Sequence, residues 1–159
     1  YVAKLGQAFG MNVIAWSTNL DANHAHGLGV QAVSKTELFT RSDFVSIHYK
    51  RSGRSRGLIR EEELKLLGPE GYIVNTSRAE IIDQTAILRC LNDGSLGGLA
   101  TDVYIDEPTG NKDELVRHPK VLATPHIGYC TEETFTIFYQ EMLAAFEAFK
   151  RGQPINVIA

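Results

Sequence analysis

Val2, Leu5 and Phe9 recur at helical spacing and run into Phe9-Gly10-Met11, where glycine can take the left-handed conformation that ends a helix. The spacing predicts that the chain opens in a helix. Val13-Ile14-Ala15-Trp16 is a short apolar run of strand length, closed by the polar Ser17-Thr18-Asn19. A second strand is expected from Gly29 to Val33, followed by Ser34-Lys35-Thr36-Glu37, a capping-box pattern for a helix containing Leu38 and Phe39. Phe44-Val45-Ser46-Ile47-His48 and Tyr72-Ile73-Val74-Asn75 read as further strands. Between them Glu61 to Leu67 reads as a helix whose first-turn acids complement its dipole. Asp83 can cap a helix through Leu91, ended by Asn92-Asp93-Gly94, and Gly97 to Val103 returns as a strand. Val121-Leu122-Ala123 is the last strand candidate. Thr131 opens the longest helix, with Phe135, Phe138, Tyr139, Met142, Phe146 and Phe149 on one apolar face and Gly152 as its stop; that face reads as core or subunit contact.

Apolar strands alternating with helices predict a parallel sheet covered on both faces, because each right-handed crossover lays a helix on the sheet. The expected fold class is α/β, a doubly wound parallel sheet. Ligands of such sheets bind beyond the carboxyl ends of the strands. Ser17, His48, Asn75 to Arg78, Asp102 to Glu107 and Thr124 to Gly128 occupy those exits.

Composition narrows the class without changing it. With 159 residues, 43% hydrophobic and 22% charged, the chain can bury roughly 68–70% of its unfolded surface as one domain. Sixteen Lys+Arg against 19 Asp+Glu give a net charge of -3. The basic cluster Lys50, Arg51, Arg54, Arg56 is too local to follow a phosphate backbone, so no nucleic-acid partner is expected. No stretch approaches the roughly 18 apolar residues of a membrane span. Cys90 and Cys130 lack any C-x-x-C spacing, which favours a reducing compartment, the cytoplasm. The chain begins with Tyr1 and not Met, which reads as a piece of a longer protein.

Three residues at strand exits could carry chemistry. Arg78 could hold a carboxylate in two parallel hydrogen bonds, or pair blandly with Glu80 or Asp83. Glu107 precedes Pro108, which restricts its backbone; otherwise it is one acid in a solvated loop. His126 sits between Pro125 and Ile127-Gly128 just beyond a strand, although a lone histidine is more often structural. His24, His26 and His118 show no metal spacing, so no metal is assigned. Asn75-Thr76-Ser77 matches a glycosylation acceptor, but its place at a strand exit argues against modification. Cys130, four residues after His126, reads as a passive small side chain in preference to an oxidation-sensitive one.

Tyr72-Ile-Val-Asn-Thr-Ser-Arg78, Gly98-Leu-Ala-Thr-Asp-Val-Tyr-Ile-Asp-Glu-Pro108 and Thr124-Pro-His-Ile-Gly128 together resemble the signatures of the D-isomer-specific 2-hydroxyacid dehydrogenase family. The likeness runs from Tyr1 to Ala159. It implies a Rossmann-like fold, hydride transfer between NAD or NADP and a small 2-hydroxy or 2-oxo acid, and a homodimer. By this resemblance Arg78 binds the substrate carboxylate and carbonyl, His126 is the general acid/base, and Glu107 hydrogen-bonds and tunes it, the three meeting in one pocket. Asp102 resembles the residue that contacts the nicotinamide carboxamide. Ser17, His48, Thr76 and Gly128 complete the expected cofactor contacts.

The resemblance also places a glycine-rich phosphate loop and a first strand before Tyr1. The expected architecture is a nucleotide-binding domain over 1–151, truncated before that strand, and a segment 152–159 returning toward a substrate domain. In strand order 3-2-1-4-5-6 the first strand would lie between those at Val13 and Phe44, leaving both with unpaired backbone groups. The 159-residue chain alone is therefore expected to be inactive and poorly stable. Ser17 stands where NAD-using relatives carry an acid for the ribose hydroxyls. No Arg or Lys lies between Val13 and Val33; Lys50 or Arg51 would have to reach a 2′-phosphate from the neighbouring exit, and both read as solvated loop cations in preference. Two alternatives remain at this point: a non-catalytic, corepressor-like regulator that keeps the dinucleotide fold, and a phosphite dehydrogenase. Formate is disfavoured by Glu107, where the family's formate branch has glutamine.

Overall fold

The computed structural model describes residues 1–158. The chain forms two compact units, Tyr1–Pro125 and a second beginning at His126.

In the first unit helices and strands alternate: α1 (Val2–Ala8), β1 (Ile14–Ala15), α2 (Ala22–Gly27), β2 (Gln31–Ala32), α3 (Lys35–Arg41), β3 (Phe44–Ile47), α4 (Glu61–Leu67), β4 (Tyr72–Asn75), α5 (Gln84–Asp93), β5 (Gly98–Thr101), α6 (Glu114–Arg117) and β6 (Val121–Ala123). Local chemistry sets most of these boundaries. Gly10 ends the first helical segment at φ 78°. Ser34 and Glu37 close the capping box of α3 in both directions. Asp83 accepts from Thr85 and Ala86 N–H at the start of α5, and Gly94 ends it in the left-handed region. Two short helices escaped the hydrophobic pattern because they bury only Ala25 and Leu115 respectively. Their caps were nonetheless present in the sequence: Asp21 accepts from Asn23 and His24 N–H, and Asp113 accepts from Leu115 N–H.

All strand pairings are parallel. β3, β4, β5 and β6 lie side by side in chain order, in a register that aligns Val45 with Ile73, Ile73 with Leu99, and Leu99 with Val121. Val45, Ile47, Ile73 and Leu99 form the core with Phe39 of α3, Leu64 and Leu67 of α4, and Ile87, Cys90 and Leu91 of α5. On the opposite face several large side chains are exposed. Phe44 and Tyr72 stack there with centroids 5.4 Å apart, and both are exposed, as is Leu122. Side chains alternate along a strand, and the core helices all pack on the Val45 side.

Among the described residues the remaining two strands pair only with each other, Ile14 beside Gln31 and Ala15 beside Ala32. Between β1 and β3 lies a cavity of about 810 Å³, lined along its length by Val13 to Ser17 and Ser42 to Tyr49. The backbone polarity of its walls follows from the bonds made elsewhere. Gln31 and Val33 N–H donate to Val13 and Ala15 C=O, and Tyr72 N–H donates to Asp43 C=O. By the alternation of a parallel ladder, the amides of Ile14, Trp16, Phe44 and Ser46 then point toward the cavity. Among the described residues no strand pairs with β1 or β3 across this cavity.

The second unit holds α7 (Glu132–Lys150), capped by Thr131, whose hydroxyl accepts from Thr134 N–H. Its aromatic face is not core: exposure runs from 41% at Phe135 to 71% at Phe149. No helix among the described residues is long and apolar enough to cross a membrane.

Candidate functional site

The exit of β4 presents Arg78. Asn75, 2% exposed, accepts from Ser77 N–H at 3.1 Å and donates through Nδ2 to Arg78 C=O at 3.0 Å. The Ser77 hydroxyl donates to Tyr49 C=O, fastening this turn to the exit of β3. The Arg78 side chain is exposed, with one guanidinium nitrogen donating to Ser77 C=O at 2.6 Å. Both carboxylates of the bland pairing are engaged elsewhere. Glu80 binds Arg51 at 2.9 Å, and Asp83 caps α5. Thr76, between Asn75 and Ser77, is exposed at the same exit.

The exit of β5 carries Asp102 and Glu107. Thr101, 6% exposed, donates to Asn75 C=O at 3.1 Å and Val103 C=O at 3.0 Å. Tyr104 Oη donates to Thr124 C=O at 2.9 Å. These bonds lace β5 to both neighbours and fix the direction in which Asp102 leaves the sheet. Its Oδ1 is a buried oxygen without a hydrogen-bond partner among the described residues. Such an atom is costly unless a ligand or water supplies a donor. Glu107 accepts from Tyr104 N–H through Oε1 at 2.9 Å, and the Glu107–Pro108 peptide is cis. Burial pushes the Tyr104 phenol pKa up, and the charges of Asp113, Asp102 and Glu107 add to the effect.

The exits of β1 and β3 meet at one end of the cavity, where Trp16, Ser17, His48 and Tyr49 line it. His48 is exposed, its Nε2 2.9 Å from Ser46 Oγ. Tyr49 Oη accepts from Thr18 N–H at 3.0 Å. Arg51, read from the sequence as a solvated loop cation in preference to a 2′-phosphate contact, pairs with Glu80 at 2.9 Å. Tyr49, joined to Thr18, lines this end of the cavity and was not singled out from the sequence. Each directly follows a residue at a strand exit, His48 or Ser17.

Arg78, Glu107, Asp102, Thr76, Ser17 and His48 thus belong to the first unit. His126 and Gly128 open the second. There His126 is half-buried and sets its ring edge-on to Tyr129, with centroids 6.0 Å apart at 84°. Gly128 is exposed.

Residues 1–128 match the family model described as D-isomer specific 2-hydroxyacid dehydrogenase, NAD binding domain. A glyoxylate reductase of Thermococcus litoralis is 32% identical over 158 residues, covering 99% of this chain and 47% of its relative. Among solved structures, phosphoglycerate oxidoreductase from Vibrio cholerae superposes with TM-score 0.84 at 32% identity, over 92% of this chain and 48% of its own. D-lactate dehydrogenase from Aquifex aeolicus, complexed with NAD and lactic acid, does so with TM-score 0.79 at 28% identity, over 96% and 50%. The chain spans about half the length of the relatives it matches. With four fifths of its residues inside that match and a parallel sheet that superposes on these enzymes, the chain belongs to the D-isomer-specific 2-hydroxyacid dehydrogenase family, in the part that forms its NAD-binding domain.

Proposed function

We propose that this chain is the nucleotide-binding part of a longer NAD(P)-dependent dehydrogenase that interconverts a D-2-hydroxy acid and its 2-oxo acid. The observation that carries the reading is the presentation of Arg78. A buried asparagine braces its backbone at a strand exit, and the two carboxylates closest in sequence are committed elsewhere. A guanidinium so placed suits a small acid, whose carboxylate can accept two parallel hydrogen bonds.

The buried Oδ1 of Asp102 fits the cofactor: it is an acceptor awaiting a donor such as a carboxamide N–H. When bound, the nicotinamide gives or takes the hydride at the substrate carbon. In the reducing direction negative charge gathers on the carbonyl oxygen, and we assign His126 to donate the proton there, recovering it in oxidation. For Glu107 we adopt the role implied by resemblance, stabilising the protonated imidazole. His48, Thr76 and Gly128 are assigned to cofactor contact. The domain spans 1–151, the cavity between β1 and β3 takes a strand from the rest of the protein, and 152–159 lead toward a substrate domain. Two free thiols support a cytoplasmic setting, and a homodimer follows from family resemblance alone.

The test is oxidation of NADH and NADPH by the full-length protein against a panel of 2-oxo acids. Turnover is expected for at least one acid. Arg78→Ala should raise its KM about a hundredfold, the worth of two charge-assisted hydrogen bonds. His126→Ala should lower kcat with less effect on KM. Cofactor binding without turnover for any acid would refute the enzyme and favour a regulator.

A further inference from the structure

Tyr104 is 6% exposed, and the reaction proposed above gives it no part. Its two polar groups reach in different directions. The backbone N–H donates to Glu107 Oε1 at 2.9 Å. The phenol Oη donates to Thr124 C=O at 2.9 Å, with Thr101 C=O a longer second acceptor at 3.3 Å. One residue thus holds the Glu107 carboxylate by its main chain and the exit of β6 by its side chain.

The frame behind it is continuous. Thr124 N–H donates to Thr101 C=O at 3.1 Å, Thr101 Oγ1 donates to Asn75 C=O, and Asn75 Nδ2 donates to Arg78 C=O. The phenol stays a donor through neutral pH: burial pushes its pKa up, and the charges of Asp113, Asp102 and Glu107 act in the same direction. Only Pro125 separates Thr124 from His126. A proline holds its own φ near one value and keeps the residue before it extended, so holding the Thr124 carbonyl restricts how the chain leaves the sheet.

We propose that Tyr104 is a positioning residue for the proton transfer, its hydroxyl fixing the lead into His126 in the same frame as Glu107. This role rests on the enzyme reading above and on the parts assigned there to Glu107 and His126. Tyr104 acts through those two residues, so loss of its hydroxyl should show in protonation and not in binding of the acid.

The test compares the full-length protein with its Tyr104→Phe variant, which keeps the ring and the main-chain bond to Glu107, across pH in the reduction of a 2-oxo acid. A carboxylate held less well stabilises the protonated imidazole less, so the histidine pKa falls. The limb on which kcat/KM declines with rising pH should then move down by about half a unit or more. Above that limb kcat should drop about fivefold, one hydrogen bond's worth, with KM within about twofold because Arg78 is untouched. In a Glu107→Gln background the same substitution should change little, since the charge it aligns is gone. The position of the limb does not depend on how much enzyme is folded, so lost stability alone cannot move it. An unmoved limb, or an effect that simply adds to that of Glu107→Gln, overturns the positioning role. A wild-type protein that reduces no 2-oxo acid overturns instead the enzyme reading beneath it.

Discussion

Replacing Asn75 by alanine removes the brace behind Arg78 while leaving the arginine itself in place. Two hydrogen bonds are lost, from Ser77 N–H at 3.1 Å and to Arg78 C=O at 3.0 Å. Each is worth about 1 kcal/mol net, and a half-buried Ser77 N–H without an acceptor adds part of its desolvation cost. The bond from Thr101 to the Asn75 carbonyl survives, because it uses backbone. The sum is about 2 kcal/mol, close to a thirtyfold change in the folding equilibrium. Urea unfolding of the full-length protein should show a lower midpoint at unchanged slope. Released from its turn, Arg78 should also bind the acid less well, raising KM about tenfold, the equivalent of roughly 1.4 kcal/mol. The exposed neighbour Thr76 provides the stability control, since Thr76→Ala should stay within about 0.5 kcal/mol. An Asn75→Ala protein as stable as wild type would refute the energetic argument. One that is destabilised but keeps its KM would refute the positioning argument.

Two further outcomes follow from the geometry. Burial acts to raise the Glu63 pKa, but hydrogen bonds from Lys35 and Arg60 N–H and the Lys35 charge more than offset it, leaving it below 4.5. A depressed folded pKa means stability present above 4.5 and lost as pH falls through the folded value. Glu63→Gln should therefore cost about 1 kcal/mol at pH 7, with the gap to wild type closing in acid; a pH-independent gap in denaturation midpoints would contradict this. Hydrogen exchange should separate the 159-residue chain from the full-length protein at the amides of Ile14, Trp16, Phe44 and Ser46. These are expected to exchange readily in the former and to be protected at least a hundredfold in the latter, where a strand occupies the cavity; equal rates would remove the strand from the proposal.

Caps and strand exits were legible in the sequence because they depend on residues within about four positions of one another. Ser34 with Glu37, Asp83 before α5 and Thr131 before α7 each satisfy local backbone donors, so their boundaries needed no knowledge of the fold. The motifs at the ends of β4 and β5 likewise placed Arg78, Asp102 and Glu107 at the sheet's carboxyl edge. Partner choice was not legible. Arg51 finds Glu80 across 29 residues, while Lys50, Arg54 and Arg56 of the same loop look like it in the sequence until the loop's path assigns each its neighbour. The aromatic stripe of α7 illustrates the same limit. Periodicity marked one apolar face but not whether anything covers it, and in this chain that face lies exposed. Local hydrogen bonding thus determined where elements begin and end. Only the tertiary structure decided which side chains meet, which buried carboxylate oxygen has no donor among the described residues, and that β1 and β3 stand apart around a cavity, because those outcomes depend on contacts between segments distant in the chain.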